Sequence, residues 1–219
     1  MAGSRNFRDG IGVSKGSAFF PYRLFSPSMS SARTFSAATE DALWPQVAAD
    51  LAQQTDLFEY SAELVQAGHA IQLAIDVDLG GGFESGLETT TLTAAVPHHV
   101  ALRFTLHEQD WVHELGKLLG LTDVELGDAE LDAAFIITTN DDARLRTLLL
   151  SDPAVRQTLL RYQPLRLDLT PASTEPDAAA LLTFTKEQAL TDPAQLREVY
   201  HLLYSLLVQL NSPATQPQS

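Results

Sequence analysis

Four of the six histidines fall between His98 and His113, in Pro97-His98-His99 and in the run His107-Glu108-Gln109-Asp110-Trp111-Val112-His113-Glu114. Imidazole and carboxylate are ligands that zinc and iron accept in hydrolases, so the His98 to Glu114 cluster is the candidate metal site. Its ligands would be His99 (or His98), His107, Asp110 and His113, with Asp110 and His113 three apart on one helical face. The spacing departs from H-E-x-x-H, because the histidine after His107-Glu108 comes six positions on. His98 and His99 are neighbours and on a strand would point to opposite faces. The competing reading is a polar turn followed by a capped helix start, with no metal and no other cofactor.

Other chemistry is less well supplied. Gly80-Gly81-Gly82 lacks the Lys-Ser/Thr of a phosphate loop and the spacing of G-x-G-x-x-G, and a hairpin turn accounts for all three glycines. No kinase-type motif is present. Carboxylate pairs such as Asp76 and Asp78, Glu125 and Asp128, or Asp141 and Asp142 are too abundant in an acidic chain to mark a glycosidase-type site. Trp44 and Trp111 fall on apolar helical faces, which favours core packing over stacking on a ligand.

These residues need a scaffold, and the composition supplies one. The chain has 219 residues, 45% of them apolar, with 14 Lys and Arg against 28 Asp and Glu, a formal charge of −14. That balance argues against nucleic acid or anionic lipid as partner. With no cysteine, disulfides and thiolate chemistry are excluded. No apolar run approaches the roughly 18 residues of a membrane span, so membrane insertion is not expected. The first 40 residues carry five cations against Asp9 and Glu40 and lack periodicity. Residues 1–38 are therefore expected to be a disordered tail, with Met29 an alternative natural start. Residues 39–211 are expected to form a single domain and 212–219 a loose end.

Periodicity then gives the elements. Leu43, Val47 and Leu51 predict a helix from Asp41 to Gln66, started by Thr39 or Asp41 and ended by Gly68, with Pro45 in its first turn. Ile71, Leu73, Ile75, Val77 and Leu79 alternate with polar residues as a strand. A second strand from Phe83 to Val96 changes phase, which predicts a bulge near Thr89 to Thr91. A third runs through Val100, Leu102, Phe104 and Leu106. Helices are predicted over Asp110 to Leu119, Asp141 to Leu150, Pro153 to Tyr162 and Pro193 to Leu210, and further strands over Phe135 to Thr139, Leu165 to Leu169 and Ala179 to Lys186. Asp152-Pro153 and Asp192-Pro193 are helix-start signatures, a capping side chain followed by proline where its missing N–H costs nothing. The order α-βββ-α-β-αα-ββ-α predicts an α+β fold, a mostly antiparallel sheet of about six strands covered by helices.

The segment Val124-Glu-Leu-Gly-Asp-Ala-Glu-Leu-Asp-Ala-Ala-Phe-Ile-Ile-Thr-Thr-Asn-Asp-Asp142, followed by Leu148-Leu149 and a helix into Tyr162, resembles a bacterial family of uncharacterised proteins. In that family an acidic "gd-x-x-f-d-x-x-f" segment precedes a strand and a short helix. The resemblance covers residues 100–210, with Leu131 where the family has an aromatic and without the transmembrane helices many members carry. It implies a fold and no catalytic residue. The element order is also similar to small secretion-type chaperones. The functional expectation is a cytoplasmic, non-enzymatic domain that binds a protein partner or forms a homo-oligomer. The alternative is a metal-dependent hydrolase using the histidine cluster.

Overall fold

The computed structural model describes residues 33–54, 59–80, 86–108, 121–173 and 179–212. They form an α+β fold with one mixed sheet of nine strands and five helices. In chain order these are β1 (Arg33–Ala37), α1 (Glu40–Leu51), β2 (Glu59–Gln66), β3 (His69–Asp78), β4 (Leu87–Val96), β5 (Phe104–His107), β6 (Thr122–Asp123), α2 (Ala129–Ala134), β7 (Ile136–Thr139), α3 (Asp142–Leu150), α4 (Pro153–Arg161), β8 (Arg166–Pro171), β9 (Ala180–Lys186) and α5 (Pro193–Asn211). The strand order is β1-β2-β3-β4-β9-β8-β5-β7-β6, with β1 parallel to β2 and every other pair antiparallel. The expectation of an antiparallel α+β sheet holds in outline, while six strands becomes nine.

Several of the differences from expectation are local. Arg33–Ala37, placed in the tail by composition, pairs along β2 as an edge strand. Helix α1 stops at Leu51, and Glu59–Gln66, read as its continuation, is a strand with Tyr60, Ala62, Leu64 and Gln66 inward. Helix-forming Ala, Glu, Leu and Gln are overruled there by a period of two. Gly68 ends no helix: Ala67 and Gly68, at φ +49° and +84°, are the two-residue turn joining β2 to β3. Positive φ at both positions gives such a turn the twist of its flanking strands. Pro45 lies inside α1 beyond its first turn, and Thr39 is the cap, accepting from the Ala42 N–H at 3.3 Å.

The bulge expected in β4 is absent. Its pairing with β3 runs unbroken from Leu87↔Asp78 to Thr93↔Gln72. The phase conflict is resolved by placing Thr90 inward beside Leu92, Ala94 and Val96 and leaving Leu87 outside. Thr90 is fully buried because its hydroxyl donates to the Gln188 carbonyl and accepts from the Leu190 N–H, both at 2.8 Å. Thr90→Val preserves shape and orphans both partners, so it should lower unfolding stability by about 1–3 kcal/mol in urea titration. A loss below a few tenths would show that water replaces the hydroxyl.

The core lies between one face of the sheet and a helical layer. Leu64, Ile71, Leu73, Ile75, Leu92, Leu182 and Phe184 meet Leu43 and Val47 of α1 and Leu196, Val199, Leu203 and Leu206 of α5, all essentially inaccessible. Helix α5 is central, packing on β3, β4 and β9 and against α1, α3 and α4. Trp44 is core, as expected, its ring 5.5 Å from Tyr200 and its Nε1 donating to the Pro193 carbonyl at 2.7 Å. The two proline signatures hold. Asp152 and Asp192 cap α4 and α5 by accepting from Ala154 N–H at 2.8 Å and Ala194 N–H at 2.9 Å.

Candidate functional site

Strand β5 is buried on both sides. Phe104 and Leu106 face the helices, and Thr105 and His107 project from the opposite face of the sheet. The neighbouring strands bring Arg166 opposite His107, and Asp168 and Thr138 opposite Thr105. Four polar residues are thus enclosed on the sheet face away from the helices: Thr105, Thr138, His107 at 9% exposure and Asp168 at 6%.

The carboxylate is fully engaged. Arg166 Nε donates to Asp168 Oδ1 at 2.7 Å and Thr170 Oγ1 donates to Oδ2 at 3.2 Å. The Thr105 and Thr138 hydroxyls bond each other at 2.8 Å, and His107 Nδ1 donates to the Glu108 carbonyl at 2.8 Å. Burial pushes the Asp168 carboxyl above the usual carboxylate range, opposed by Arg166, Thr170 and His107. On the helical side, Lys186 is also buried, its Nζ donating to the carbonyls of Tyr162 at 3.0 Å and Pro164 at 3.2 Å. Burial lowers its pKa, with the Glu108 charge acting the other way.

A second constellation joins the helices. Glu40 Oε2 lies 2.8 Å from His201 Nδ1, and His201 Nε2 lies 3.5 Å from Ser205 Oγ, the connectivity of a Ser-His-acid array. Its setting is that of a surface clasp. His201 is 41% exposed, Asp152 Oδ2 stands 3.8 Å from the same Nε2, and Glu40 also accepts from Arg197 Nε at 2.6 Å. The network ties α1, α4 and α5 together. No local signal could have revealed it, since Glu40 and His201 are 161 positions apart in sequence.

Of the predicted metal ligands, His98, His99 and His107 are among the described residues. His98 and His99 lie exposed in the turn after β4, rings edge-on at 6.2 Å, and His107 is in the enclosed cluster on β5. Asp110, Trp111, His113 and Glu114 lie outside the described residues. Among the described residues no three His, Asp or Glu side chains are placed to hold one metal ion. Gly80, at φ +68°, gives its N–H to Asp78 Oδ1 at 2.9 Å, while Gly81 and Gly82 lie outside the described residues. Some of the paired carboxylates serve local structure. Asp141 caps α3, and Asp128 caps α2 while its Oδ2 accepts from Arg156 Nε at 2.5 Å, which holds its carboxyl down to about 2.

Around the other strands the face away from the helices is at least partly exposed among the described residues. There β2, β3, β4 and β9 present Ser61, Ala74, Thr91, Thr93, Thr183 and Thr185 to varying degrees of exposure. Where β3 meets β4 the face ends in a shallow depression of about 440 Å³ lined by Asp78, Leu79, Gly86, Leu87, Glu88 and Glu187. Gly86 is required there, because a Cβ would stand 2.5 Å from the Asp78 carbonyl oxygen. Leu79 and Leu87 are the large apolar residues left exposed among those described, at 69% and 57%. No helix among the described residues is long and apolar enough to cross a membrane. The chain matches no protein-family model, no curated protein and no solved structure.

Proposed function

We propose that the chain works as a non-enzymatic binding or self-associating domain, through the open face or the β1 edge of its sheet. The observation that carries this reading is the asymmetry of the sheet. Its β2, β3, β4 and β9 strands bury one face under α1 and α5 and carry on the other a central run of small threonine, serine and alanine side chains, flanked by Glu59, Glu63, Gln72 and Asp76. Small residues order at little entropic cost, so such a face can be covered without a large loss of side-chain freedom. Among the described residues, edge strand β1 pairs on one side alone, with β2, and its other side offers main-chain groups to an added strand.

The reading is tested by sedimentation equilibrium over a wide concentration range, together with hydroxyl-radical footprinting of material purified natively from its source. Association, with itself or a retained partner, should protect Val65, Leu87 and Leu181 on the open face or Phe35 on the edge strand. A strict monomer that retains no partner and shows no protection would end the proposal.

A further inference from the structure

The open face is unbalanced in charge. Its strand positions on β2, β3, β4 and β9 include Glu59, Glu63, Asp76 and Asp78, with Glu187 just past the end of β9. Among the described residues of these strands no lysine or arginine shares that face, since Lys186 is turned inward to the Tyr162 and Pro164 carbonyls. Glu59 and Asp76 are direct cross-strand partners, a like-charge pair that costs stability. Burial and then the facing Glu59 push the Asp76 carboxyl upward. Beside this acidic end lies the depression with its two exposed leucines. Arg166 of β8, opposite Thr185 on the same face, is engaged by Asp168. Carboxylates in excess of cations around an apolar pair that is exposed among the described residues are complementary to a chain that brings cations and an apolar side chain together.

We propose that this face docks a cationic polypeptide segment, with lysine or arginine side chains against Glu59, Asp76, Asp78 and Glu187 and an apolar side chain seated between Leu79 and Leu87. The proposal rests on the reading of the chain as a binding domain and names its partner. A second copy fits worse, because stacking this face on itself opposes carboxylate to carboxylate.

The probe is a labelled 12-residue peptide alternating lysine with leucine, compared with the same peptide carrying glutamate for lysine. Fluorescence anisotropy should show binding of the lysine peptide alone, weakening several-fold as salt is raised past the point where exposed charges are screened. Amide resonances of Gln72, Ala74, Thr89 and Thr91 should shift. Asp76→Lys with Glu187→Lys should reduce affinity by at least about tenfold. Asp76→Lys alone also relieves the Glu59 repulsion, so its melting temperature should hold or rise while binding falls, which separates lost docking from lost folding. Equal binding of both peptides, unchanged affinity in the double variant, or shifts confined to the helices would overturn the proposal. So would a concentration-dependent dimer that covers this face without peptide. If the lysine peptide fails but the protein associates through β1, this inference falls and the binding reading stands; a strict monomer without partner removes both.

Discussion

Replacing Arg166 with methionine is expected to cost about 3–5 kcal/mol at pH 7, the effect of breaking a buried ion pair from one side. Asp168 is enclosed, and the Arg166 Nε contact at 2.7 Å is the charge-assisted bond that makes its ionised form tolerable. Thr170 supplies one further hydrogen bond and cannot neutralise the charge. The pH dependence has a fixed sign. A carboxyl whose folded pKa is raised carries no penalty below its unfolded value near 3.9, where both states hold the proton. It costs stability as pH rises from there toward the folded value. Loss of Arg166 widens that interval, so the gap between variant and parent should be largest at pH 7 and shrink toward pH 4. Urea unfolding at pH 4, 5.5 and 7 measures it. Removing both charges, as Arg166→Met with Asp168→Leu, should restore most of the loss, because no buried charge remains. A gap independent of pH, or a double variant as weak as the single one, would show that the residues matter for packing alone.

The sequence betrayed this cluster only in part. Leu165, Leu167 and Leu169 announce β8 by alternation, and all three are inaccessible. Alternation also assigns Arg166 and Asp168 to the other side, where a polar residue suggests water. Whether that side is wet depends on tertiary enclosure, which period two cannot encode. His107 illustrates the same limit: alternation puts it on the polar side of β5, and only the tertiary structure encloses it opposite Arg166. Signals closed within one turn of chain were fully legible. The Asp152-Pro153 and Asp192-Pro193 starts need only neighbouring atoms, and the leucine stripe of α5 needs only helical spacing. The β2–β3 turn escaped because Ala67-Gly68 lacks the Asn-Gly signature, and its positive φ at alanine is imposed by the strands it joins. Strand order was illegible for a different reason. β4 pairs β9, and β5 sits between β8 and β7, so the sheet is closed by contacts across most of the chain that no local pattern records.

Three tyrosines should make the fold collapse in alkali. Tyr60, Tyr162 and Tyr200 are buried, and desolvation is the first cause that raises each phenol. Tyr162 is pushed up to about 12, helped by Glu198, which accepts its hydroxyl at 3.1 Å. Tyr60, beside Asp50, and Tyr200, which donates to Gln66 Oε1 at 3.0 Å, are pushed higher. An acid with a raised folded pKa contributes its full stability below the unfolded value near 10. It loses that stability as pH climbs, because only the unfolded chain releases the proton. Each group costs up to about 1.4 kcal/mol per pH unit, so three together reach about 4. Lys186 has the opposite sign. Its folded pKa is lowered, so stability rises with pH until the unfolded lysine titrates near 10.4, and it offers at most one proton against three. Stability should therefore hold to about pH 10 and then fall steeply, with urea midpoints between pH 8 and 11.5 tracing the decline. Tyrosinate absorbance from the buried phenols should appear together with unfolding. Tyr60→Phe removes an enclosed hydroxyl that has no hydrogen-bond partner among the described residues, so it should change neutral stability by less than about 1 kcal/mol and reduce the alkaline slope by roughly a third. A midpoint flat to pH 11, or ionisation running ahead of unfolding, would mean that these phenols reach water in the native state.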